Sequence, residues 1–110
     1  MEKLKVLLAD GSVFYRKLVA EAVENSDMGE IGKIASNGSI ALEWIGQSSF
    51  DVILIDVLIL QNEGMEVLRA IREKNQEVEV VVLGTNEEEH AKITLEALKL
   101  GAIDFVLKPR

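Results

Sequence analysis

Asp51-Val52-Ile53-Leu54-Ile55-Asp56 is the stretch that decides the architecture. Its four central residues are apolar without a polar break. A strand with one wet face alternates, whereas a strand covered on both faces reads as a continuous apolar run. Toward the N-terminus, Asn37-Gly38 makes a turn, and Ile40, Ala41, Trp44 and Ile45 mark a helix after it. A weak strand is predicted over Ile31 to Ala35. Before that, Ser12 is a fitting N-cap for a helix to about Asn25, with Phe14, Leu18 and Ala22 on one face. Leu4 to Ala9 reads as the first strand. Toward the C-terminus, Gly64 opens a helix carrying Met65, Leu68 and Ile71, and Val78 to Leu83 is another apolar strand. Glu87 to Leu100 reads as a helix closed by Gly101, and Ile103 to Leu107 as the last strand.

Repeated strand–helix alternation predicts an α/β fold with a parallel sheet between two helical layers. Right-handed crossovers leave few topologies. The simplest is a flavodoxin-like, doubly wound, five-stranded sheet in the order 2-1-3-4-5. Residues 1–110 contain no repeat, linker or low-complexity segment, so one domain is expected. A sheet of this kind normally ends in a helix beside the first one, and none follows the last strand before Arg110. The expectation is therefore a domain truncated after strand five, its last helix missing from this chain. Part of one sheet face then needs cover from elsewhere in a longer protein, or from a second copy in a homodimer.

Twelve Lys and Arg against nineteen Asp and Glu leave a formal charge of −7, which disfavours nucleic acid as a partner of this segment. The chain has no cysteine, which excludes disulfides and thiolate chemistry. It shows no signal-peptide pattern, and its most apolar run, Val52 to Leu60, is interrupted by Asp56 and far short of the ~20 residues that span a bilayer. A cytoplasmic location with no membrane contact is expected.

The crevice of an open α/β sheet lies beyond the carboxyl ends of its strands. Three titratable residues map there: Asp10 after strand one, Asp56 after strand three and Lys108 after strand five. Two carboxylates brought close repel each other, and a cation relieves the strain. Such a group can hold a hard, oxygen-seeking Mg²⁺ and set a phosphoryl donor in line with one carboxylate. A carboxylate oxygen is a competent nucleophile for that transfer. Singly, each residue reads as well as a helix cap or an element end; the joint placement at three strand ends favours function.

These residues carry a resemblance. Leu7-Leu8-Ala9-Asp10-Gly11-Ser12-Val13-Phe14-Tyr15-Arg16, Asp51 to Asp56 and Gly101-Ala102-Ile103-Asp104-Phe105-Val106-Leu107-Lys108-Pro109 resemble, in order, the three motifs of response-regulator receiver domains. Ile93 to Leu98 is similar to the receiver of chemotaxis-type protein-glutamate methylesterases. The resemblance implies that Asp56 accepts a phosphoryl group from a histidine kinase and relays it as a conformational change to an output domain or partner. It implies Mg²⁺ at Asp10, Asp56 and the Leu58 backbone carbonyl, phosphate contacts from Lys108 and Thr85, and a switch formed by Thr85 and Phe105. It also implies a partner surface on the fourth helix and last strand, where Ala91, Leu95 and Leu98 oppose the sheet-facing Ile93, Ala97 and Leu100. No enzymatic activity is expected apart from phosphorylation and dephosphorylation at Asp56.

The sequence departs from the family at the site itself. Gly11 replaces a second acidic metal ligand, so the Mg²⁺ site is expected to be weakened. Ile59-Leu60 stands where the family has Met-Pro. Gly84 falls on the Ser/Thr switch position, so either Thr85 substitutes or the hydroxyl is gone. An alternative is thus a degenerate receiver that binds proteins without phosphorylation. A stand-alone phosphatase of the haloacid-dehalogenase type would need a second Asp two residues after Asp56, where Leu58 stands. His90, behind Glu87-Glu88-Glu89, reads as a solvated surface residue, and the glutamates as favourable charge at a helix N-terminus. Trp44 reads as an anchor of the second helix with its indole edge at the surface.

Overall fold

The computed structural model describes residues 2–74, 77–86 and 88–108. Its elements run β1 (Leu4–Ala9), α1 (Val13–Asn25), β2 (Gly29–Ala35), α2 (Gly38–Gln47), β3 (Val52–Asp56), α3 (Val57–Glu63), α4 (Glu66–Lys74), β4 (Glu79–Gly84), α5 (Ala91–Lys99) and β5 (Asp104–Leu107). All strand pairs are parallel and the order is β2-β1-β3-β4-β5, as expected.

The apolar run of β3 is divided between two cores. Ile53 and Ile55 join Leu7, Val80 and Val82 beneath the residues of α2 to α5, such as Ala41, Leu60, Leu68 and Ala97. Leu54 faces the other way, with Leu8, Val81 and Leu83, where Val19 and Val23 of α1 pack. That second face is only partly covered. An open groove of about 370 Å³, lined by Leu4, Val6, Val23, Leu54, Val81 and Val106 among others, runs along it.

Local chemistry sets the element ends. The Ser12 side chain accepts from the Tyr15 amide to start α1. Asn37 does the same for Ile40, so Asn37-Gly38 is the start of α2 and not a separate turn. The largest departure from the sequence reading is α3. The sequence reading assigned no element between Asp56 and a helix opening at Gly64, yet the chain turns helical directly after Asp56. No proline interrupts residues 57–63, so the backbone can close its helical hydrogen bonds, and Val57, Ile59 and Leu60 gain burial by doing so. Gly64 ends α3 with a φ of 86° instead of starting the next helix.

The last helix also begins later than expected. The Asn86 side chain takes the Glu89 amide, and its carbonyl lies 3.4 Å from the His90 amide. Residues 88–90 form a turn of their own, and α5 starts at Ala91. Glu88 and Glu89 lie in that turn, ahead of the helix; Glu87, Pro109 and Arg110 lie outside the described residues. Trp44 anchors α2 against the core with Lys33 Nζ 4.4 Å above its ring. Its Nε1, expected at the surface, is buried.

Candidate functional site

Strand register brings three chain ends to one rim. Ala9 pairs with Ile55, Asp56 with Leu83, and Gly84 with Leu107. The residues that follow β1 and β5, Asp10 and Lys108, therefore stand beside the last residue of β3. Lys108 Nζ lies 2.6 Å from Asp10 Oδ2 and 3.0 Å from Asp56 Oδ1. All three side chains are nearly sealed from solvent, with residue exposures of 0% for Asp10, 4% for Asp56 and 6% for Lys108.

Neighbouring groups fix each of them. Asp10 Oδ1 accepts from the Ser12 amide at 2.9 Å, and the Asp10 carbonyl accepts from Arg16 at 2.8 Å. The Lys108 amide donates to the Gly84 carbonyl, and its ammonium sits 4.3 Å from the centre of the Tyr15 ring. Burial pushes the Asp56 carboxyl above its usual range. Lys108 pulls it down through a hydrogen bond and its charge, the Asp10 charge adds to the rise, and the Leu58 amide lowers it slightly. One ammonium against two carboxylates leaves a negative charge in excess.

The pair opens into a cleft of about 550 Å³ whose walls include Gly11, Tyr15, Leu58, Glu63, Thr85 and His90. A β-carbon at Gly11 would meet nothing nearer than the Ser36 carbonyl at 3.6 Å, so the cleft has room where an acidic side chain is missing. Two carboxylates and open space suit a hard cation completed by water. Among the described residues no three His, Cys, Asp or Glu side chains converge as a metal cluster, so the donor set is sparse.

The remaining expected residues divide. Thr85 is exposed and lines the cleft. Phe105 is half-buried, and its ring fills the space over Gly84. Ala91, Leu95 and Leu98 are all exposed on the outer side of α5, while Ala97 is buried and Ile93 and Leu100 pack on the core. His90 corrects the sequence reading: it is 7% exposed and belongs to the cleft wall. The turn held by Asn86 swings it inward, since His90 Nδ1 lies 3.1 Å from the Asn86 carbonyl. Tyr15 and Glu63 were also missed. Glu63 accepts from the Gly38 amide at 2.9 Å, tying the end of α3 to the start of α2.

Known proteins resemble this chain over nearly its whole length. The model of the response regulator receiver domain family matches residues 6–110. A protein-glutamate methylesterase/protein-glutamine glutaminase of Treponema denticola is 36% identical over 109 residues, covering 99% of this chain and 29% of that protein. The same enzyme of Trichodesmium erythraeum is 35% identical, over 99% of this chain and 31% of its own length. The chain thus spans less than a third of these relatives. Among solved structures, the response regulator domain of Thermotoga maritima CheB is 31% identical with a TM-score of 0.85, covering 99% of this chain and 81% of that one. The signal receiver domain of NarL from Mycobacterium tuberculosis is 29% identical with a TM-score of 0.85, over 100% of this chain and 87% of that one.

Proposed function

This chain belongs to the response regulator receiver domain family, and from that premise we propose that Asp56 accepts a phosphoryl group from a histidine kinase. The observation that supports it best is the convergence of Asp10, Asp56 and Lys108 at one rim, open to a cleft large enough for a phosphoryl group. An Asp56 carboxylate oxygen attacks phosphorus, the bond from phosphorus to the donor's imidazole nitrogen breaks, and an aspartyl-phosphate forms. Lys108 keeps the carboxylate charged before transfer and faces the phosphoryl oxygens after it.

Asp10, Asp56 and the Leu58 carbonyl would hold Mg²⁺, which would offset the charge of the phosphoryl oxygens. Binding is weak because Gly11 supplies no oxygen and because Lys108 competes for the same carboxylates. Thr85 contacts the phosphoryl group from the cleft wall and, with Phe105, reports its presence.

The partner surface is the exposed row Ala91, Leu95 and Leu98 beside Phe105. An output domain or partner protein reads the change there, and Leu95→Glu should weaken its capture. A second copy of this chain is a further partner, on the open sheet face, which sedimentation would reveal as a mass rising with concentration. We also propose that residues 1–110 act as a single receiver unit of a longer cytoplasmic protein, with nucleic acid and membrane as non-partners. No described helix is long and apolar enough to cross a membrane.

The test is an intact-mass measurement after incubation with acetyl phosphate and Mg²⁺. A gain of one phosphoryl group that is lost in Asp56→Asn is expected. No gain in the unaltered chain would favour a phosphorylation-independent binding module.

A further inference from the structure

The same cleft contains a group that the phosphoryl transfer does not use. His90 is nearly buried in the wall that also holds Asp56, Leu58 and Thr85. Its Nδ1 lies 3.1 Å from the main-chain carbonyl of Asn86. A carbonyl can only accept, so Nδ1 is the donor in this contact, which leaves Nε2 as the acceptor nitrogen whenever the ring carries one proton. Among the described residues Nε2 has no hydrogen-bond or ion-pair partner. One nitrogen thus tethers the imidazole in the cleft wall while the other is left free to take a proton.

His90 is not a third metal ligand, since no described trio of His, Cys, Asp and Glu forms a cation site. It comes from the turn before α5, while the two carboxylates sit at the ends of β1 and β3. The cleft of about 550 Å³ leaves room for a phosphoryl group and for water, which occupies about 30 Å³ per molecule in the liquid.

We propose that His90 is the general base for water attack on the aspartyl-phosphate. The proposal rests on the reading of Asp56 as phosphoacceptor. Nε2 accepts a proton from a cleft water as the water oxygen attacks phosphorus. The bond between phosphorus and the Asp56 oxygen breaks, Asp56 leaves as a carboxylate, and inorganic phosphate departs. The imidazolium then returns its proton to solvent. The Asn86 carbonyl holds the ring throughout.

The experiment follows decay of the phosphorylated chain by intact mass after the acetyl phosphate is removed. His90→Asn is the informative variant: its short amide can keep the bond to the Asn86 carbonyl while deleting Nε2. Decay is expected to slow by about a hundredfold, at the low end of what a positioned base supplies. Free imidazole added to His90→Gly should restore part of the rate, which a purely structural histidine would not allow. The unaltered chain should also decay more slowly in D₂O than in H₂O, a readout that needs no variant to fold. Equal decay in His90→Asn and the unaltered chain, or no solvent isotope effect, overturns the role of His90 and leaves Asp56 as acceptor. Failure of every chain to gain the phosphoryl group overturns both.

Discussion

A β-carbon placed on Gly84 would lie 2.7 Å from Cζ of Phe105 and 3.0 Å from its Cε2. The ring of Phe105 therefore occupies the volume that any other residue at position 84 would need. The same β-carbon would stand 3.2 Å from Val57, the residue directly after Asp56. Ring, glycine and site are in one packed contact. Gly84→Ala should expel the ring and cost about 1–3 kcal/mol, the usual range for overpacking. In Phe105→Ala the same change should cost little. Chemical denaturation of the four chains of this cycle measures the coupling, and additive losses would refute the contact.

Asp56→Asn should stabilise the fold at neutral pH. Burial raises the carboxyl of Asp56 in the folded state above its unfolded value of about 3.9. For an acid shifted upward, stability is complete below the unfolded value and declines as pH rises through the folded one. The variant lacks this decline. Its advantage should be present at pH 7, at a few degrees in melting temperature, and vanish toward pH 3–4. An advantage that grows toward acid would show the opposite shift.

Lys108→Met removes the ammonium from between two buried carboxylates. Breaking such a buried arrangement costs about 3–5 kcal/mol, because the charges left behind have no partner. The loss should be partly recovered by millimolar Mg²⁺, and melting curves with and without the metal measure both effects. A variant as stable as the parent at pH 7 would mean that the ion pairs contribute nothing.

Gly11→Asp should tighten Mg²⁺ binding by roughly tenfold or more, since affinity for hard cations follows ligand charge and number. The site has room for the side chain, with only the Ser36 carbonyl at 3.6 Å. Without metal the variant should be less stable than the parent, because a third carboxylate joins a group already in negative excess. Calorimetric titration with Mg²⁺ decides the first point and thermal unfolding in a chelator the second.

Much of this was legible in the residues. The unbroken apolar run before Asp56 identified a central parallel strand, and the placement of Asp10, Asp56 and Lys108 at strand ends located the rim. Those inferences hold because strand register converts sequence position into spatial position almost without ambiguity. What escaped depends on side chains that decide between local alternatives. Nothing in the run of glutamates before His90 shows that Asn86 would hold a separate turn and rotate the imidazole inward. The helix after Asp56 was hidden because a single absent proline changes what seven residues can do. Gly84 was legible as a missing hydroxyl, but its other meaning, the room it leaves for Phe105, needed the neighbouring strand.

The open groove beside α1 carries a practical consequence for anyone handling this chain. Environment-sensitive dyes such as ANS brighten on accessible apolar surface, and that brightening is ordinarily taken as a mark of loosened, molten packing. Here the folded molecule already offers such a berth between Leu4, Leu54 and Val106. A bright dye signal from a well-folded sample would report an ordered cradle, and a thermal scan read by that dye would begin from a high baseline and understate the transition.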